Sequence, residues 1–179
     1  MMLKQPSSPV NHVTYSEEDF NIIIPTRAER PKFITYNNLG PLKDRVIMVY
    51  DRWHNVCKAL NYGASISKAN ILFFTDDDAI IPPEKILDIV KLVKKDTAVV
   101  FERQDPFGLA ITKDDFIKLG GFDERFLCPR MPAYAFDTEF EKRLESKKFR
   151  IIKYPLSGVI HYGGEDPRFL SKVLLLNGI

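Results

Sequence analysis

Apolar positions along the chain fall into two kinds of run that alternate through its first half. Short unbroken runs occupy Asn21 to Pro25, Arg45 to Tyr50 and Ile71 to Thr75. Each has the length of a strand, is rich in β-branched or aromatic residues and stops at proline or polar residues, which predicts strands buried on both faces. Between them the spacing becomes helical. A polar turn over Thr26 to Arg30 leads into a predicted helix from Pro31 to Leu39. A second helix is predicted from Trp53 to Ala69 with a break near Gly63, and a third from Pro83 to Lys95 with Ile86, Ile89, Val90 and Val93 on one face. All-apolar strands alternating with amphipathic helices predict an α/β fold with a mostly parallel central sheet flanked by helices.

The second half is less regular. Strands are expected at Thr97 to Phe101, Leu109 to Ile111, Ile151-Ile152 and Val159-Ile160, and helices at Lys113 to Leu119, Asp137 to Lys147 and Arg168 to Leu175. The irregular spacing predicts some antiparallel pairing in this half. Residues 1–18 are polar and carry Pro6 and Pro9, so a loose leader is expected before a single domain over residues 19–179.

Composition and charge narrow the function. The 179 residues are 45% hydrophobic and 28% charged, and 26 Lys and Arg against 24 Asp and Glu leave a formal charge of only +2. That balance gives no electrostatic footprint for nucleic acid. Cys57 and Cys128 form no C-x-x-C pair, as expected of reduced thiols in a cytoplasmic, soluble protein. No apolar run approaches the roughly 20 residues that span a bilayer, although a basic patch would still permit a membrane-surface acceptor. Lys142, Arg143, Lys147, Lys148, Arg150 and Lys153 make such a patch, or simply a solvated face.

The chemistry concentrates in ILFFTDDDAIIPPE, residues 71–84, where Asp76, Asp77 and Asp78 close an apolar strand. Adjacent carboxylates repel, so the triplet is either a solvated turn or a cation site. Ligands in open α/β sheets bind beyond the carboxyl ends of the strands, where both the triplet and Asp51 fall. Carboxylates suit hard cations such as Mg²⁺ and Mn²⁺. Spacing alone leaves the two readings even.

The triplet followed by IIPPEKI resembles the DxD region of the family 2 glycosyltransferases with the GT-A fold. Leu109 to Glu124, ending in GGFDE, is similar to that family's strand, helix and turn. Asp137 to Leu144 resembles its ED-x-[DE]-L-x-x-R-L helix, and His161 stands where its C-terminal histidine is found. The matches occur in the family's order over about Asn21 to Tyr162. Phosphatases resembling the haloacid dehalogenases instead carry DxDx[TV] on their first strand.

The resemblance implies a metal-dependent transferase moving a sugar from a nucleoside diphosphate, with UDP expected before GDP, to an unidentified acceptor hydroxyl. Residues 19–100 would then bind the nucleotide sugar and residues 101–179 the acceptor. It implies Asp78 as a direct ligand of Mn²⁺ or Mg²⁺, Asp76 at the ribose or a metal-bound water, and His161 as a third ligand or a phosphate donor. Thr26, Arg27 and Asp51 fall where the family holds base and ribose, and Lys68 stands in for an arginine absent ahead of Asn61-Tyr62-Gly63. Asp137 matches the base of an inverting enzyme, or caps its helix with Thr138 and Glu141 as a capping box. Phe136 replaces the usual glutamate beside it, which leaves open a nucleotide-sugar-binding module without turnover. Trp53, Tyr134 and Phe136 are candidates to stack on a sugar or base, and Gly163-Gly164-Glu165 a candidate lid.

Overall fold

The computed structural model describes residues 19–29, 31–103, 107–125 and 135–162. The leader, Cys128, Tyr134, the Gly163-Gly164-Glu165 segment and the helix expected from Arg168 lie outside the described residues.

Three strands begin the fold: β1 (Phe20–Arg27), β2 (Val46–Asp51) and β3 (Ile71–Thr75). A short helix α1 (Ile34–Asn38) and a 3-10 turn (Gly40–Arg45) link the first two, and α2 (Val56–Ile66) links the second and third. After β4 (Ala79–Ile80) and α3 (Pro83–Leu92) come β5 (Thr97–Phe101), β6 (Gly108–Thr112) and the short α4 (Lys113–Lys118). The described chain ends with α5 (Ala135–Ser146), β7 (Arg150–Tyr154) and β8 (Ile160–His161).

The main sheet has the order β2-β1-β3-β6-β5-β7. Strand β1 runs parallel to β2 and β3, β6 lies antiparallel to β3 and β5, and β7 is parallel to β5. Within the main sheet, the antiparallel pairing predicted for the second half is the reversed strand β6, and β8 adds an antiparallel pairing outside it. Strands β4 and β8 form a separate two-stranded pair that joins Ala79 to His161.

Alternate residues feed two cores. Ile23, Leu72 and Phe74 pack with Leu60, Phe116, Phe122 and Phe140 beneath α2, α4 and α5. Ile22, Ile24, Ile71 and Phe73 pack with Leu39, Ile86 and Val90 beneath α1 and α3. This explains why these strands carry no polar alternation: each residue is buried on one side or the other, at about 1.5–3 kcal/mol per large apolar side chain.

The chain steps from β1 to β2 on one side and returns to β3 on the other, with α1 and α2 on opposite faces. The carboxyl ends of β1 and β3 consequently flank a topological switch point, where such sheets leave a crevice.

Gly63 does not break its helix. It is buried in the middle of α2, and a Cβ there would stand 2.5 Å from Ile23 Cγ2 and 3.1 Å from Val49 Cγ2. Glycine marks close approach of helix to sheet rather than a bend. Among the described residues no helix is long and apolar enough to cross a membrane.

Candidate functional site

The three aspartates leave the carboxyl end of β3 at the switch point, and their backbone is held from both flanks. Thr35 of α1 donates its hydroxyl to Asp76 O at 2.7 Å, accepts the Ala79 N–H at 2.9 Å and donates its own N–H to Asp77 O at 3.2 Å. From the other side, the Tyr162 N–H donates to Asp78 O at 3.0 Å, next to the β4–β8 pair. Residues 83 positions apart in sequence, Asp78 and His161, thereby come within 3.0 Å.

Each carboxylate has its own partner. The hydroxyl of Thr26, buried at the end of β1, donates to Asp77 and accepts the Lys32 N–H at 2.9 Å. Asp76 accepts the Phe107 N–H at 2.8 Å. Asp78 Oδ1 faces His161 Nε2, while Oδ2 receives Lys32 Nζ at 2.7 Å. The same His161 nitrogen lies 3.8 Å from Asp76 Oδ2.

The electrostatics follow from this arrangement. Burial pushes Asp76 up to about 7; the Phe107 N–H and His161 oppose it, while the neighbouring charges of Asp78 and Asp77 add to it. Burial also raises Asp77, against the Thr26 hydroxyl. For Asp78 burial works upward too, but hydrogen bonds from His161 and Lys32 outweigh it and hold the group down at about 2. Asp78 is thus the permanent anion of the three.

One oxygen each from Asp76 and Asp78 and a ring nitrogen of His161 lie within 4.8 Å of one another. The two carboxylates suit a hard divalent cation such as Mn²⁺ or Mg²⁺, and the imidazole adds a nitrogen ligand of the kind transition metals accept. The raised Asp76 agrees with that fit, since a buried carboxylate with two others beside it retains a proton that a cation would displace.

The other residues singled out from the sequence divide. Arg27, exposed, and Asp51 sit opposite each other at the ends of β1 and β2, where Asp51 Oδ1 accepts the Trp53 N–H at 3.0 Å. Trp53 is 40% exposed, packs against Tyr62 with ring centroids 5.6 Å apart and the rings tilted by 55°, and carries Lys58 over its face. Lys68 does not reach the site. It lies in the turn that enters β3, at the amino end of the sheet, where Ser67 binds Asn21 at the start of β1. Lys32 instead brings the cation to the triplet.

Asp137 stands in the first turn of α5, accepting the Thr138 N–H at 2.6 Å. The capping box does not form: Glu141 pairs with Lys153 instead of reaching back. Burial is the main cause that raises Asp137 to about 6, opposed by the Thr138 bonds and assisted by the charge of Glu141. The group lines a small cavity with Phe101, Phe107, Gly108, Phe122 and Phe140. Phe107 connects the two centres, with its N–H on Asp76 and its ring in this cavity.

Phe136 is not a stacking platform. It is buried against Phe107 and Phe122, at centroid distances of 5.2 and 5.4 Å. Glu139 pairs with Arg143, whose guanidinium also donates to Leu119 O at 2.8 Å and Gly121 O at 2.6 Å. Asn61 binds the other side of that turn, donating to Phe122 O at 2.8 Å and accepting the Phe122 N–H at 2.9 Å. Gly121 must be glycine, with φ +68° and a Cβ position 2.7 Å from Asn61 Oδ1. The GGFDE turn and the arginine of α5 therefore form one structural lock, and Arg143 and Lys153 are withdrawn from the basic patch.

Lys32, Thr35 and Asn61 were not singled out by sequence reasoning. Lys32 carried one usable signal, a cation in the loop after β1, which the strand order places beside the end of β3.

Several solved structures share the fold. A cytidylyltransferase from Leptospira borgpetersenii superposes with a TM-score of 0.54 at 13% identity, covering 76% of each chain. The Drosophila β1,4-galactosyltransferase 7, solved with manganese, UDP-Gal and xylobiose, gives 0.55 at 12% identity over 85% of this chain and 74% of that one. A nucleotidyl transferase from Methanothermobacter gives 0.53 at 10% identity over 77% and 87%. No curated protein matches by sequence. The model of glycosyl transferase family 2, by contrast, matches residues 22–152, from β1 to β7 and across both carboxylate centres, and the chain belongs to that family.

Proposed function

We propose that the protein is an inverting, divalent-metal-dependent glycosyltransferase that moves a sugar from a nucleoside diphosphate to an acceptor hydroxyl. The observation that carries this reading is the convergence of Asp76, Asp78 and His161 at the switch-point crevice of a family 2 chain. Asp78 and His161 would hold the cation directly, with Asp76 completing the set or binding the ribose. When bound, a divalent cation supplies positive charge to the departing diphosphate.

The chain's own residues supply the rest. Thr26, Arg27 and Asp51 line the ends of β1 and β2, where a nucleoside would lie. Asp137 accepts the acceptor's hydroxyl proton as the hydroxyl oxygen bonds to the anomeric carbon. The bond from that carbon to the diphosphate oxygen breaks with its electron pair going to the diphosphate, so a single displacement inverts the centre. A carboxylate poised at about 6 is ionised at neutral pH yet basic enough to take that proton. The walls of its cavity, Phe107, Phe122 and Phe140, limit water near the same group. UDP is the first nucleotide to test, since the galactosyltransferase relative in fold was solved with UDP-Gal, and GDP is the second.

Calorimetric titration with UDP and GDP, each with and without Mn²⁺, tests the donor site. Metal-dependent binding of one nucleotide that Asp78→Ala weakens by about a hundredfold or more is the expected result. Equal binding with and without metal, or none of either nucleotide, would remove the reading. Slow nucleotide release from the matching sugar donor then distinguishes a working enzyme from a binding module.

A further inference from the structure

Lys32 has no part in the reaction described so far, yet it makes the shortest contact with Asp78. Its Nζ lies 2.7 Å from Asp78 Oδ2, with the carboxylate side chain only 9% exposed and the lysine side chain 43% exposed. The two partners differ in freedom. Asp78 is fixed by the Tyr162 N–H on its carbonyl and by His161 at Oδ1. Lys32 is held at its root, where its N–H binds Thr26 Oγ1 at 2.9 Å, and its four-carbon stem, partly exposed, reaches the carboxylate.

An ammonium at hydrogen-bond distance occupies one approach to the oxygens that a divalent cation needs, and two cations within about 4 Å of each other repel. We propose that Lys32 is a resident counter-ion of this centre: it neutralises Asp78 in the metal-free protein, yields to the divalent cation, and then pairs with the donor's diphosphate. This rests on the metal-dependent reading above. Charge supports the sequence of partners. Without metal, Asp76, Asp77 and Asp78 lie together at the end of β3 and the Lys32 amine sits at hydrogen-bond distance from Asp78. A metal–diphosphate pair brings new anionic oxygens to the place the ammonium has just left. Because Thr26 keeps the root of Lys32 in the crevice, the freed head stays within reach of them.

The same anchoring joins β1, the α1 loop and the triplet, since Thr26 binds both Lys32 and Asp77. Exchange of the ammonium is therefore a side-chain movement on a fixed loop, and needs no change in the sheet.

The test compares wild type with Lys32→Met, which keeps the stem and removes the charge, and with Lys32→Arg, which keeps the charge. Mn²⁺ binding to protein alone is read by calorimetry or by loss of the free-ion paramagnetic signal, and UDP and GDP binding at saturating Mn²⁺ by calorimetry. Lys32→Met is expected to bind Mn²⁺ about tenfold more tightly and the nucleotide about tenfold more weakly, with Lys32→Arg within about threefold of wild type for nucleotide. Unchanged or weaker Mn²⁺ binding in a Lys32→Met protein with a normal melting transition would overturn the counter-ion role. Unchanged nucleotide affinity would overturn the transfer to diphosphate. Wild type that binds Mn²⁺ no better than Asp78→Ala would instead overturn the metal site itself, an outcome separable from the other two.

Discussion

The carboxylates at the end of β3 and the carboxylate in α5 are built in opposite ways. Asp76, Asp77 and Asp78 are each held by groups from distant segments: Phe107, Thr26, and Lys32 with His161. Asp137 rests on Thr138, its chain neighbour, inside an aromatic-walled cavity. The difference shows in their proton affinities. Partners hold Asp78 at about 2 against its burial, whereas burial dominates at Asp137 and lifts it to about 6. Cross-linked partners make Asp78 a fixed anion suited to binding, although burial raises its neighbour Asp76 to about 7. A group governed by burial changes protonation readily, which suits proton transfer.

Breaking the second centre without touching the first has the largest expected effect. Asp137→Asn should lower kcat by about 10²- to 10⁴-fold while nucleotide and Mn²⁺ affinities stay within about twofold. A parallel loss of nucleotide affinity would merge the two centres into one. In the wild type, kcat/KM should rise about tenfold per pH unit below about 6 and level off above it, because Asp137 in the proposed role of base must be ionised.

The stability of Asp137→Asn gives an independent sign. A folded pKa raised above the unfolded value contributes stability that is present below the unfolded value and lost as pH rises through the folded one. The carboxylate therefore weighs against folding at pH 7 to 8. Removing its charge should raise the melting temperature there by a few degrees, corresponding to about 1 kcal/mol after discounting for partial exposure, and by nothing near pH 3.

A smaller effect tests how the second centre is supported. Asn61→Ala leaves the Phe122 N–H and C=O without their side-chain partner and should cost about 1–3 kcal/mol in denaturant unfolding. Nucleotide affinity should change far less, since apart from the Phe107 N–H on Asp76 the triplet draws its bonds from β1, α1, the loop between them and the β8 end. The smallest expected effect is that of Lys68→Ala, within about 0.5 kcal/mol for both stability and nucleotide binding. A clear loss of nucleotide binding there would contradict its placement at the amino end of β3.

Much of this was legible along the chain. Ile71–Thr75 and Thr97–Phe101 are strands as their apolar runs predict, and Lys113–Lys118 and Ala135–Ser146 are helices within two residues of expectation. Gly63 misled because glycine signals either a break or close packing, and only Ile23 and Val49 on the sheet below distinguish them. Phe136 misled because substitution of a charged position by an aromatic reads as altered recognition, whereas Phe107 and Phe122 make it core. The two-residue strand β4 is too short to show a period, and β8, expected one residue earlier at Val159-Ile160, gives no sign along the chain of the pairing with β4 that carries His161 to Asp78.

The sequence by itself determined the succession of strands and helices and the presence of three adjacent carboxylates at a strand end, because apolar periodicity and side-chain chemistry are local properties. Tertiary structure alone decided which cation meets Asp78. Lys32 and Lys68 are alike in chemistry and both lie within one short segment of a strand, but the strand order puts one at the carboxyl crevice and the other at the opposite end of the sheet. Distance between residues far apart in the chain follows from strand direction and neighbour order, and these are settled by how two hydrophobic faces are covered together.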